Sequence, residues 1–94
     1  MTVYSVSYDL NKEGQNYKNL IAEIKSFGGY CKVMDSYWFV SSNNDAQTVY
    51  SKLAKHIDKN DRLLVMQTSS NRQGWLDKDV WEWFRKHEVK NTAR

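Results

Sequence analysis

Apolar side chains recur with two different periods along residues 2–68, and the order of these periods leaves few folds open. Residues 2–9 alternate every second position and are rich in β-branched and aromatic residues, which predicts a strand. One face of this strand carries Tyr4, Val6 and Tyr8. The opposite face carries Val3, Ser5, Ser7 and Asp9, so the strand ends on its one charged residue.

Two segments show the spacing of amphipathic helices. The first covers residues 17–27, with Asn16 as its cap, and ends at Gly28-Gly29. The second begins at Asn44-Asp45 and repeats apolar residues at helical spacing as far as Ile57. Each helix therefore has one apolar face to bury against a sheet.

Three further strands complete the pattern. Residues 30–34 and 37–42 form a hairpin that turns at Asp35-Ser36, and residues 62–68 form a short apolar strand. The resulting order, β-α-β-β-α-β, predicts a ferredoxin-like α+β domain over residues 1–70, with a four-stranded antiparallel sheet and both helices on one face. The face of the first strand that carries Tyr4 is expected to pack on these helices.

Residues 71–94 form a C-terminal extension that is rich in aromatic side chains. It opens with a polar loop, and helical spacing in its second half predicts a helix, although the segment VWEWF also fits a short strand. The first 70 residues supply no helix for the second face of the sheet. The extension, a second subunit or water therefore has to cover that face.

Length and composition narrow the class of protein. A chain of 94 residues makes one small domain, whose stability benefits from a partner. The net charge of +3 comes from an excess of Lys and Arg over Asp and Glu in residues 62–94. This basic excess permits contact with phosphates, but it is equally typical of a solvated surface. Cys31 is the single cysteine, and no apolar run is long enough to span a membrane, so we expect a soluble cytoplasmic protein.

Short motifs spread over residues 2–68 resemble the CRISPR-associated protein 2 family and its relatives, such as the VapD-type toxins. The first strand ends in SYDL (residues 7–10), which is similar to the Tyr-Asp-Ile/Leu motif at the end of the family's first strand. Three further segments resemble the glycine after the family's first helix, the start of its third strand and its fourth strand: FGG at 27–29, DSYWFV at 35–40 and HIDKNDRLLVMQ at 56–67. The chain is also similar to small bacterial and phage proteins that carry a SinR-like label.

This resemblance implies a homodimer in which two open sheet faces meet. It also implies that paired copies of Asp9 bind a divalent cation, Mg²⁺ or another, near the two-fold axis. Some members of the family cut RNA or double-stranded DNA, and others hold DNA as a structural bridge. Many members place basic residues soon after the aspartate, and this sequence has Lys12 and Lys18 there, on either side of Glu13.

Asp9 is accordingly the candidate catalytic and metal-binding residue. A single carboxylate is a poor Mg²⁺ site, and two-fold symmetry supplies a second one. Water held by the cation can attack a phosphodiester while the cation neutralises charge on the leaving oxygen. The alternative is that Asp9 accepts amide groups of the loop that follows the strand, as aspartates commonly do.

Other polar and aromatic residues form two candidate surfaces. The candidates for nucleic-acid binding, with aromatic side chains stacking on bases, are Lys12, Arg72, Arg85 and Lys86. The candidates for an interface with a second subunit or another protein are Ser5, Ser7, Trp75, Trp81, Trp83 and Phe84. Each of these residues also has a structural interpretation, as part of the core or of a solvated surface.

Two functions are consistent with these patterns. The first is a small dimeric nucleic-acid-associated protein, acting as a metal-dependent endoribonuclease or deoxyribonuclease through the pair of Asp9 residues. The second is a non-catalytic dimeric adaptor or antitoxin-like module that binds a protein through its aromatic extension. His56 and His87 lack the spacing of zinc ligands, so structural roles are expected for both.

Overall fold

The computed structural model describes residues 1–11 and 17–92. Its elements are, in chain order, β1 (Thr2–Asp9), α1 (Lys18–Ile24), β2 (Gly29–Met34), β3 (Tyr37–Ser42), α2 (Ala46–Ala54), β4 (Arg62–Gln67) and α3 (Lys78–Thr92). The four strands form one antiparallel sheet in the order β2-β3-β1-β4. The predicted α+β class, with its four-stranded antiparallel sheet, is therefore confirmed.

The two helices between strands begin in different ways. α2 starts where the sequence predicts, because the side chain of Asp45 accepts the backbone N–H of Thr48 at 2.9 Å. At the start of α1 the cap position is occupied by Tyr17, whose side chain makes no capping hydrogen bond. The predicted cap, Asn16, lies outside the described residues. α1 is also shorter than predicted, because residues 25–28 form a turn and a bend.

The hairpin between β2 and β3 turns at the predicted place. Ser36 adopts a left-handed backbone conformation with φ of 58°, which a residue with a side chain adopts less readily than glycine. The pairing of β2 with β3 shifts between Lys32 and Met34, which marks a bulge in β2 next to the turn. The bulge leaves β2 as an irregular strand at one edge of the sheet.

One face of the sheet packs on α1 and α2, as the alternation of β1 predicts. Its buried cluster consists of Tyr4, Val6, Leu20, Ile24, Trp38, Val40, Val49 and Leu53. At the margin of this cluster the indole N–H of Trp38 donates to the hydroxyl of Tyr8 at 3.1 Å. The hydroxyl of Tyr4 donates to the backbone carbonyl of Asn44 at 2.7 Å.

The opposite face of the sheet is covered in part by the C-terminal extension, whose second half is the helix α3. Val80 and Phe84 of α3 are buried against Val3 of β1 and Phe39 of β3, and the rings of Phe39 and Phe84 stack at 4.5 Å between centroids. The extension is thus the part of the chain that meets this face. Among the helices within the described residues, none is both long enough and apolar enough to cross a membrane.

Candidate functional site

Asp9 lies at the exposed end of β1, directly opposite Arg62 at the start of β4. The same register places Ser7 opposite Leu64 and Ser5 opposite Met66. Because residues directly opposite each other in a sheet share a face, these six side chains lie on the face that α3 partly covers. α3 leaves this strip open, since Leu64 and Met66 are each 53% exposed.

The carboxylate of Asp9 makes no hydrogen bond or ion pair with any other residue in the ranges 1–11 and 17–92. Arg62 forms no ion pair with this carboxylate, and its Nη1 atom donates instead to the backbone carbonyls of Asp61, at 3.2 Å, and Asn60, at 3.5 Å. Asp9 and Arg62 line an open pocket of about 430 Å³ together with Ser7, Tyr8, Leu63 and Leu64. Within the described residues, Asp9 is therefore exposed and open to a ligand from solvent.

Asp9 is the one acidic residue among the described residues that line this pocket. Within the described residues no three histidine, cysteine or acidic side chains come close enough together to hold a metal ion. Arg62 adds a positive charge directly across from Asp9, which opposes the binding of a cation. A cation at Asp9 would therefore need further oxygen ligands from water, from phosphate or from a second chain.

A second carboxylate, that of Asp61, anchors the described part of the loop after β1. The alternative role of Asp9, accepting amide groups of that loop, falls largely on residues 12–16, which lie outside the described residues. The buried carboxylate of Asp61 accepts the backbone N–H of Asn11 at 2.7 Å and that of Asp58 at 2.8 Å, and the hydroxyl of Tyr17 lies 3.2 Å away. The hydrogen bond from Asn11, followed by that from Asp58, holds the pKa of Asp61 below its ordinary value. Asp61 thus ties the loop after β1 to the turn before β4.

Ser5 and Ser7, two predicted interface residues, are half-buried on the open part of the sheet face. The hydroxyl of Ser5 lies 3.4 Å from the backbone carbonyl of Met66, which is a weak contact. Both serines lie beside the exposed side chains of β4. They are therefore placed where a second molecule can reach the sheet.

Arg72, a predicted nucleic-acid contact, is engaged within the chain. Its guanidinium donates to both carboxylate oxygens of Glu88, at 2.6 and 3.0 Å, and to the carbonyl of Ser69 at 2.9 Å. The guanidinium carbon also lies 4.0 Å from the centroid of the Phe84 ring. These contacts fasten the loop before α3 onto the helix and leave Arg72 little capacity for a phosphate.

The other predicted basic contacts are not gathered around Asp9. Arg85 and Lys86 are exposed on α3 and do not line the pocket that Asp9 shares with Arg62. Lys12 lies outside the described residues. The described chain therefore offers Arg62 as the basic residue nearest to Asp9 in the sheet, a residue that sequence reasoning did not select.

The predicted aromatic interface divides into buried and exposed parts. Phe84 is 1% exposed, and Trp81 and Trp83 are half-buried in the same cluster. Trp83 also stacks on the ring of His87 at 4.0 Å between centroids. Trp75 differs, since it is 98% exposed in the loop before α3. Of the four aromatic residues, Trp75 is therefore free to contact a partner.

Both histidines have structural surroundings. His56 Nε2 lies 3.0 Å from Glu23 Oε1 and links the end of α2 to α1. This hydrogen bond, with a smaller contribution from Lys55, lowers the pKa of Glu23. Nδ1 of His87 donates to the carbonyl of Trp83 at 2.8 Å.

Over residues 1–11 and 17–92, the fold and the site define a small α+β protein with a four-stranded antiparallel sheet, three helices and an exposed carboxylate at the end of β1. Comparisons of the chain with protein-family models, with curated proteins and with solved structures find no significant match in any of the three.

Proposed function

We propose that the chain is a small dimeric protein of ferredoxin-like fold that associates with nucleic acid, as the resemblance to CRISPR-associated protein 2 implies. The element order supports the fold, because the first six elements run β-α-β-β-α-β and α1 and α2 share one face of the sheet. The proposed setting is the cytoplasm, where the free thiol of Cys31 would stay reduced.

The observation that carries this proposal is the exposed carboxylate of Asp9 at the rim of an open pocket. Asp9 is the last residue of a strand whose other side chains are uncharged, yet within the described residues its carboxylate forms no hydrogen bond or ion pair. Mg²⁺ is commonly held by one or two carboxylates, several waters and the phosphates of a substrate. Asp9 would supply such a carboxylate, and the nucleic acid would supply the phosphate.

A cation held in this way also supports hydrolysis of a phosphodiester bond. A cation held by Asp9 would supply an activated water as the nucleophile and would offset negative charge on the leaving oxygen. The role of Asp9 is to hold the cation through its carboxylate. Its second ligand would come either from Asp9 of another subunit or from the phosphate itself.

Cation-dependent binding of nucleic acid tests this proposal separately from cleavage. We expect labelled RNA or double-stranded DNA to bind more tightly when Mg²⁺ or Mn²⁺ is added, and Asp9→Asn to remove that increase. Asp79→Asn is the matched control, because Asp79 is exposed at the start of α3 and does not line the pocket that Asp9 shares with Arg62. Binding that responds to the cation equally in all three proteins would refute the role of Asp9.

Trp75 favours a second candidate function, a non-catalytic adaptor or antitoxin-like module. Trp75 is 98% exposed, which leaves a large apolar side chain in contact with water. Tryptophan is common at the centre of protein interfaces, where such a side chain becomes buried. On this alternative, Trp75→Ser should weaken capture of a partner protein at least tenfold and leave the melting temperature unchanged, whereas Asp9→Asn should have no effect. Unchanged capture by Trp75→Ser would count against the alternative.

A further inference from the structure

β4 is an edge strand with a free row of backbone groups. It pairs with β1 on one side, and no strand of the described chain lies on its other side. The N–H of Thr68 donates to the carbonyl of Val3 at 3.0 Å. The backbone N–H and C=O groups of Thr68 and of every second residue before it therefore point toward β1. The N–H and C=O groups of Leu63, Val65 and Gln67 therefore point away from the sheet.

The two edges of the sheet are protected to different degrees. β2, at the other edge, has a bulge and carries the charged side chain of Lys32, and both features hinder pairing with another strand. β4 has no bulge in its pairing with β1, and its one charge, Arg62, lies at its first residue. The interior of β4 is thus open to an added strand.

Apolar side chains are exposed on both sides of this edge. Leu64 and Met66 are each 53% exposed on the open face of the sheet. On the helix side, Tyr50 of α2 is 43% exposed and lines a pocket together with Leu63. Added strands that continue the sheet would cover both sets of side chains at once.

We propose that β4 pairs with β4 of a second copy of this chain, antiparallel and about a two-fold axis at Val65. A two-fold axis perpendicular to the sheet keeps the two sheet faces aligned, and it passes between the two copies of one residue. With Val65 as that residue, Leu64 lies opposite Met66 of the partner subunit. This register uses all three outward-facing residues and forms about six backbone hydrogen bonds. The sheet would then have eight strands.

The sequence of β4 favours a second copy as the occupant. The two Arg62 side chains lie at opposite ends of the paired strands, whereas parallel pairing would place them side by side. Leu64 and Met66 meet the same two residue types across the axis, so the apolar strip is complementary to itself. Self-complementarity of this kind is what an isologous two-fold interface requires.

This inference rests on the proposed function for the presence of a dimer, but it replaces the meeting of open sheet faces, which the resemblance implies, with pairing of sheet edges. With Val65 on the axis, the two Asp9 carboxylates lie roughly 20–25 Å apart, from a rise of about 3.3 Å per residue and a strand spacing of about 4.8 Å. They cannot share a cation at that distance. Each Asp9 would therefore hold its cation with water and phosphate.

Disulfide crosslinking of cysteine variants tests the register. In a Cys31→Ser background, a mixture of Leu64→Cys and Met66→Cys should crosslink, because residues opposite each other at such positions have Cα atoms about 4.5 Å apart. Leu64→Cys alone should crosslink poorly, because the Cα atoms of its two copies lie about 8 Å apart on the diagonal, which exceeds the usual Cα–Cα distance in a disulfide. Asp9→Cys alone should not crosslink.

Three results would overturn the pairing: a monomer at all concentrations by light scattering, crosslinking of Asp9→Cys with itself, or crosslinking of Leu64→Cys alone as fast as the mixture. Leu64→Lys should weaken dimerisation at least tenfold, whereas Met34→Lys, at an equally exposed site on β2, should not. A monomer that still binds nucleic acid through Asp9 would refute this dimer and the dimeric state in the proposed function, but not the role of Asp9 in binding nucleic acid. A crosslinked dimer that binds none would refute the function but not the dimer.

Discussion

The carboxylate of Asp61 accepts the backbone N–H of Asn11 at 2.7 Å across 50 residues of sequence. The same carboxylate accepts the N–H of Asp58 at 2.8 Å, so one side chain joins the loop that follows β1 to the turn that precedes β4. These strands carry Asp9 and Arg62, which are directly opposite each other. Asp61 therefore positions the end of the sheet at which the candidate site lies.

Asp61→Asn should lower stability at neutral pH and remove part of its pH dependence. The pKa of Asp61 is lowered in the folded state, so its carboxylate stabilises the fold fully above the ordinary value of about 3.9, and that contribution is lost as the pH falls through the lower folded value. The melting temperatures of wild type and variant should therefore converge below about pH 4. Asp58→Asn, at an exposed position in the same turn, is the control and should behave as wild type.

Phe84→Ala should destabilise the protein by about 3–5 kcal/mol, because it leaves a cavity between α3 and the sheet. Phe84 is 1% exposed and stacks on Phe39, so its removal would loosen the packing of the buried cluster between α3 and the sheet. Trp75→Ala, at an exposed aromatic residue of the same extension, should change stability by less than about 0.5 kcal/mol. Urea unfolding measures both, and equal effects would show that α3 does not pack on the sheet.

Arg72→Ala should cost about 1–3 kcal/mol, because it leaves the carboxylate of Glu88 without its partner in a largely buried place. The matched control is Lys78→Ala, which removes an exposed ion pair with Glu82 at 4.0 Å and should cost about 0–0.5 kcal/mol. Chemical denaturation in low salt compares the two variants. A loss for Arg72→Ala no greater than for Lys78→Ala would contradict the fastening role of Arg72.

Arg62→Ala should strengthen the binding of Mg²⁺ to the protein, because it removes the positive charge that lies opposite Asp9. The interaction of two charges near 4 Å in water is about 1 kcal/mol, so the increase should be about fivefold or less. Calorimetric titration with MgCl₂ measures it. Unchanged or weaker binding by Arg62→Ala would place the cation away from Asp9.

The fold was largely predictable because local patterns report burial. The period-two alternation of residues 2–9 identified the face of β1 that packs on α1 and α2, and Asp45 identified the start of α2. The helical spacing of the extension predicted α3 but not its position. Which surface a helix covers depends on the packing of the whole chain, and here Phe84 of α3 meets Phe39.

The surroundings of the candidate site were not predictable in the same way. Asp9 was selected from its position at the end of β1, but its neighbour Arg62 is 53 residues further along the chain, and the register of two distant strands leaves no local pattern. Arg72 was selected because its positive charge suits a phosphate, but in the folded chain its guanidinium is paired with the carboxylate of Glu88. The anchoring role of Asp61 depends on hydrogen bonds between two loops that are distant in sequence, so no local pattern predicts it.

The central claim, that Asp9 serves cation-dependent chemistry on nucleic acid, is tested most directly by one cleavage measurement. Purified protein is titrated with Mg²⁺ and Mn²⁺ in the presence of end-labelled RNA and double-stranded DNA, with Asp9→Asn and Asp79→Asn alongside. The account predicts cleavage of one substrate that requires the cation, persists in Asp79→Asn and is lost in Asp9→Asn. Cleavage that is equal in wild type and Asp9→Asn, or no cleavage by wild type at any cation concentration, would contradict it.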